Sequence, residues 1–159
     1  MKKLSHELKW ALIFVAMSLV WMLLEKLAGL HSTHIDKHAT YTNFIAIPAI
    51  SVYVFALLEK KNKFYHGSMT YLQGFISGTI ISVMIMILSP LTQIITTEII
   101  TPEYFPNAIK YSVSAGLMKQ TEAEQYFSLE NYIKEGLIGA LLMGVITTAI
   151  VAIFTRGKK

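Results

Sequence analysis

The sequence predicts an all-α, polytopic membrane protein: a four-helix transmembrane bundle with short interfacial helices in the third-to-fourth connection. Composition is the first reason. Of 159 residues, 53% are hydrophobic and 15% charged, where a soluble domain carries about 25% charged residues. The second reason is clumping. Asp, Glu, Lys and Arg are missing from residues 67–97 (31 residues), 136–155 (20), 40–58 (19) and 10–24 (15). A helix needs roughly 20 residues, at ~1.5 Å each, to cross about 30 Å of hydrocarbon. Two runs satisfy this alone, and the other two do so with their mildly polar flanks. A chain of this length forms one domain.

The first span is expected over about 8–30. Its leader, "MKKLSHELKW", has the charge of a signal peptide. The apolar run behind it meets Glu25–Lys26 without a small-residue cleavage pattern, so an uncleaved span is expected. The second span is expected over about 41–58 and the third over about 69–95. Pro48 and Pro90 interrupt them and predict kinks, because proline removes a backbone donor and crowds the preceding turn. The fourth span covers about 132–154.

Basic residues orient these spans. Lys2, Lys3 and Lys9, then Lys60, Lys61 and Lys63, then Arg156, Lys158 and Lys159 fall on one side of a four-span chain. The other side holds Lys37, Lys110 and Lys119, offset by Asp36, Glu98, Glu103, Glu122, Glu124 and Glu130. Excess Lys and Arg marks the cytoplasmic face. Both termini are therefore expected in the cytoplasm, with the spans in a bacterial inner membrane. A net charge of +4 would suggest nucleic acid in a soluble protein. Here the charges flank spans, so the partner is the lipid bilayer, and Lys60, Lys61 and Lys63 are candidate contacts to anionic headgroups.

The connection over residues 96–131 is the sizeable extramembrane piece. Pro102 suits a first helical position. Ile109, Val113 and Leu117 give an amphipathic spacing, and Gly116 suits a helix end. Thr121 with Glu124 has capping-box spacing, and Ser128 can cap the fourth span. Two short helices are expected at the outer interface. Tyr104, Phe105, Tyr111, Tyr126 and Phe127 then either lie at headgroup depth or fold over the bundle's own end.

The segment "NKFYHGSMTYLQGFISG", followed by a proline-interrupted span and "IITPEYFPNAI", resembles the bacterial family catalogued as domain of unknown function 4199. The matching positions are Gly67, Thr70, Tyr71, Gln73 and Gly74, then Pro102, Glu103 and Tyr104. The resemblance covers most of the chain and implies a small four-span inner-membrane protein. It implies no activity.

Three constellations bear on function. His31, His34 and His38, spaced i, i+3, i+7, would share about 60° of a helix face. Imidazoles so placed can share a zinc or copper ion, with Asp36 or Glu25 adding oxygen. Against that, Gly29, Ser32 and Thr33 are poor helix formers, and histidines in a wet loop are often polar spacers. Glu25 lies about 22 Å along the first helix from Trp10, near the outer end. It is either a functional carboxylate or an interfacial residue hydrogen-bonded within the bundle, with Lys134–Glu135 as possible partners. Its neighbour Lys26 can reach the outer headgroups. Adjacent helical residues point about 100° apart, so these two are not a natural ion pair.

The third constellation is a small-residue seam. Gly136, Ala140, Gly144, Thr148 and Ala152 recur every four residues, and Gly74, Gly78 and Ser82 share that spacing in the third helix. Such seams let backbones approach closely, either within the bundle or across a dimer or partner interface. No cysteine is present, which excludes thiolate sites and disulfides. Nucleotide, hydrolase and zinc-protease motifs are missing, and no cofactor is implied. The reading is a non-enzymatic interaction or accessory component of the membrane. The alternatives are a small oligomeric transporter or channel component using Glu25, and an outer-face metal-binding protein.

Overall fold

In the computed structural model, residues 2–157 are described; Met1, Lys158 and Lys159 lie outside them, as do the side chains of Lys2 and Lys3. Helix α1 covers Lys2–Leu27 and α2 covers Ile35–Tyr41. A 3-10 turn over Thr42–Ile45 joins α2 to α3, Ala46–Tyr65. Helix α4 spans Tyr71–Ile94 and runs on as a π-helical turn, Ile95–Ile100. Two cap helices follow, α5 (Tyr104–Ser114) and α6 (Gln120–Tyr126), and α7 spans Leu129–Thr155. Among the described residues four helical stretches are long and apolar enough to cross a membrane: Leu4–Leu27, Ile35–Tyr65, Tyr71–Ile100 and Leu129–Thr155. Their apolar windows are only 11–33% buried within the protein, so most of that surface faces outward.

Each span outruns its sequence expectation because polar residues at its ends find partners. Helix α1 begins earlier, since His6 and Glu7 are buried against α3 and α4. Helix α3 continues through Lys61 and Lys63, carried by the Lys63–Glu59 pair at 2.6 Å. Thr70 and Gln73 form a reciprocal capping box at the start of α4. Ser128 caps α7 by accepting from Asn131 N at 3.3 Å.

Pro90 lies inside α4 and cannot donate to the carbonyl four residues back. That carbonyl, on Met86, accepts instead from the Ser89 hydroxyl at 2.8 Å, so the helix passes through the proline. Pro48 falls in the first turn of α3, directly after the 3-10 segment. In the cap, α5 begins two residues after Pro102, which lies in a turn. Helix α6 starts at Gln120 rather than after Thr121. The Glu122 carboxylate accepts from Lys119 N at 3.1 Å, displacing the expected Thr121–Glu124 box.

The two seams meet inside the bundle, with α4 and α7 antiparallel. A Cβ on Gly74 would touch Ala152, one on Gly78 would overlap Thr148, and one on Gly144 would overlap Ser82 and the Tyr53 hydroxyl. Ser82 and Thr148 are fully buried, and Tyr53 reaches the Ser82 hydroxyl at 2.8 Å. Gly136, at the outer end, is looser, with Ser89 as its near neighbour at 3.9 Å. Ala140 is partly buried against the core formed by Ala11, Tyr53, Ala56, Leu57, Ile81, Ile85 and Val151. Close approach on this face yields dispersion contacts where lipid offers no hydrophobic drive.

Candidate functional site at the outer end

The bundle has two polar ends. At one, α1 begins near the end of α3, and Gly157 N donates to Met69 O at 2.7 Å. Glu7 there accepts from Lys60 at 2.6 Å and from Ser77 at 2.7 Å, with all three side chains buried. The expectation that Lys60 meets lipid headgroups is therefore corrected. Its ammonium lies inside the bundle, against Glu7 and 4.4 Å from the Phe64 ring centre. Lys61 is half-buried and Lys63 exposed. Glu59 gathers Lys9 (2.6 Å), Lys63 (2.6 Å) and the Trp10 indole (2.7 Å) nearby.

The opposite end holds Glu25, whose side chain is 2% exposed. Trp21, one turn earlier, donates its indole N–H to Glu25 Oε1. The chain then leaves α1 through Gly29, at φ +75, a conformation costly for any residue with a Cβ. That turn folds His31 back so that its Nε2 lies 3.1 Å from Glu25 Oε2, with the ring fully buried. From α2, His38 brings its Nε2 to 3.3 Å from the same oxygen. The backbone is fixed from the cap, where Asn107 Nδ2 donates to His31 O at 2.9 Å.

His34 does not join them. The helical spacing that would align three histidines fails because residues 28–34 form a turn rather than a helix, leaving His34 exposed, like Asp36. Glu25 replaces it in the cluster, six residues before His31. Lys26 turns away and donates to Ile100 O at 2.6 Å, with Glu103 at 3.5 Å. Lys134 pairs with Glu130 at 2.6 Å, so it is not a partner of Glu25.

Above this cluster the cap closes over the bundle. Tyr104 is buried, with ring centres 5.0 Å from His31, 4.9 Å from His38 and 6.3 Å from Tyr132. Its hydroxyl lies 3.3 Å from both His38 Nδ1 and the Tyr132 hydroxyl. Burial pushes the Tyr104 phenol above its usual range, so it stays a neutral donor. Phe105, Tyr126 and Phe127 pack edge-on against Tyr132 or Tyr104. Of the two expectations for these aromatics, folding over the bundle's own end describes Tyr104, Phe105 and Phe127, while Tyr126 is 41% exposed.

Between bundle and cap lies a cavity of about 620 Å³. Its wall includes Met22, His38, Thr42, Thr96, Tyr104, Tyr111, Tyr126, Tyr132 and Glu135. Sequence reasoning missed it, since it is made by residues from six separate segments. The Pro-Glu-aromatic motif that ends in Tyr104 was the available signal.

A family model described as "Protein of unknown function (DUF4199)" matches residues 9–157. The chain belongs to this family. The match spans both polar ends of the DUF4199 chain and the cap between α4 and α7. No curated protein and no solved structure matches it.

Proposed function

We propose that this chain is a non-enzymatic accessory component of the bacterial inner membrane, with both termini cytoplasmic, whose outer end binds a small amphipathic molecule. The observation that carries the reading is the cavity under the cap. At about 620 Å³ it lies within the usual size range of small-molecule sites, roughly 300–1,000 Å³. Its wall mixes apolar side chains with convergent phenols, threonine hydroxyls and one imidazole. The charge pattern supports the orientation, because Lys9, Lys61, Lys63 and Arg156 belong to the Glu7 end. Exposed Lys61 and Lys63 then meet anionic headgroups.

Oligomer or partner contacts would use lipid-facing surfaces such as Ile138, Leu142, Ile146 and Phe154. The small-residue seam is already occupied within the chain. Transport through one copy would require prying apart α4 and α7, where Gly78 and Gly144 leave no room for a Cβ. Binding needs no such opening.

The test is purification from the native membrane followed by native mass spectrometry. The expected result is a discrete small-molecule adduct, lost when Ala108, buried in the cavity wall, becomes Phe while the helical signal is kept. An adduct-free wild type, or an adduct retained by Ala108→Phe, would overturn the reading. Reporter fusions at each terminus check the orientation, and opposite faces would sink it.

A further inference from the structure

We propose that Glu25, His31 and His38 form a binding site for one divalent transition-metal ion, with zinc the natural occupant class. This goes beyond the reading above, which depends on the cavity and not on these three side chains.

Geometry is the first argument. One ligating atom from each residue lies within 4.8 Å of the other two. Around a tetrahedral zinc with bonds of ~2.0–2.1 Å, ligand atoms sit about 3.3 Å apart. Glu25 Oε2 is already 3.1 Å from His31 Nε2 and 3.3 Å from His38 Nε2. Rotation of His38, on the seven-residue α2, brings the two imidazoles to the same spacing.

The second argument is unmet polar demand. His38 Nε2 is buried without a hydrogen-bond partner although it faces the carboxylate, and His31 Nδ1 is likewise unpartnered. Glu25 and His31 side chains are 2% and 0% exposed. A carboxylate in such a place needs a compensating charge. Lys26, the nearest candidate in sequence, is committed to Ile100 O and Glu103. A divalent cation satisfies the carboxylate and the convergent nitrogens together.

Chemistry selects the ion. Two imidazoles and one carboxylate suit zinc and its transition-metal neighbours, whereas calcium and magnesium want oxygen cages. Three protein ligands leave a fourth position for water or a bound molecule. His38 and Tyr104 both border the cavity, which gives that position a route outward. Tyr104, 3.3 Å from His38 Nδ1, is the outer partner that fixes the ring. His31 has no such partner at Nδ1, so His38 is the ring held ready, and His31 is positioned by its backbone contact to Asn107.

The experiment titrates chelator-stripped, detergent-purified full chain with zinc chloride by calorimetry, and with cobalt chloride by visible absorption. The expected result is one ion per chain, bound at micromolar or tighter concentration, with tetrahedral cobalt bands. His38→Ala and Glu25→Gln should each weaken zinc by at least about tenfold, while His34→Ala, altering an exposed residue, leaves it unchanged. Thermal melting with and without zinc checks that the variants fold and reads the same loss as a vanished metal-induced stabilisation. Binding only near millimolar zinc, or equal affinity in folded His38→Ala, would overturn the site. Equal weakening by His34→Ala would do the same by pointing to surface histidines.

Discussion

At each end of the bundle a buried glutamate from α1 meets groups brought from a distance, and the two ends solve the same electrostatic problem differently. Glu7 receives a permanent cation, Lys60, at 2.6 Å, and a hydroxyl from Ser77. Glu25 receives an indole N–H and two imidazoles, and its own neighbour Lys26 is directed elsewhere. A lysine ammonium keeps its charge at every physiological pH, whereas an imidazole exchanges its proton readily or gives its lone pair to a metal. The inner end is thus a fixed fastening. The outer end, with a cavity beside it, has compensation that depends on what is bound.

Substitutions can break this contrast. The largest effect is expected from Lys60→Met, which strands a buried carboxylate and should cost about 3–5 kcal/mol in detergent unfolding. Adding Glu7→Gln should recover most of that loss. If Lys60→Met unfolds at the wild-type midpoint, the inner end is not a fastening. The seam between the ends comes next. Gly144→Ala forces a Cβ into Ser82 and Tyr53 and should cost about 1–3 kcal/mol. Gly139→Ala, whose Cβ meets nothing within 4 Å, should be neutral or slightly stabilising in the same assay.

Glu25→Gln is expected to shift the apo protein's stability by less than about 1 kcal/mol, because the amide still accepts from Trp21 and no charge remains unpaired. Its effect should instead appear as lost zinc binding. A fall as large as that of Lys60→Met would erase the distinction between the ends. The smallest effect belongs to Lys9→Ala. Its side chain is 48% exposed, and Glu59 retains Lys63 and Trp10, so about 0.2–1 kcal/mol is expected.

How much of this was legible in the sequence varies with the range of the interaction. Spans follow from local composition, since twenty apolar residues in a row leave a helix little alternative. The seams were legible as two sets of small residues at a spacing of four, because that spacing is itself the geometry of a helix face. The outer cluster was half legible. His31, His38 and Glu25 were all singled out, but helical spacing over residues 31–38 included His34 wrongly. Gly29 decides the matter by adopting φ +75 and turning the chain. The Glu7–Lys60 pair was not legible at all, since 53 residues separate the partners and Lys60 stands among lysines that look solvated. Nor does any local pattern encode a cavity whose wall is assembled from six segments.

The π-turn after α4 carries one further consequence. Thr101 N reaches back five residues to Thr96 O at 2.8 Å, so this turn accommodates one residue more than an α-helix of equal rise. Shortening the chain by a single residue between 95 and 100 would let the coil tighten to ordinary pitch. Everything downstream would then swing by about 100°. The Ile100 carbonyl would lose Lys26, and Tyr104 would rotate off the two imidazoles, so the whole lid would be mis-set without one of its own residues having changed.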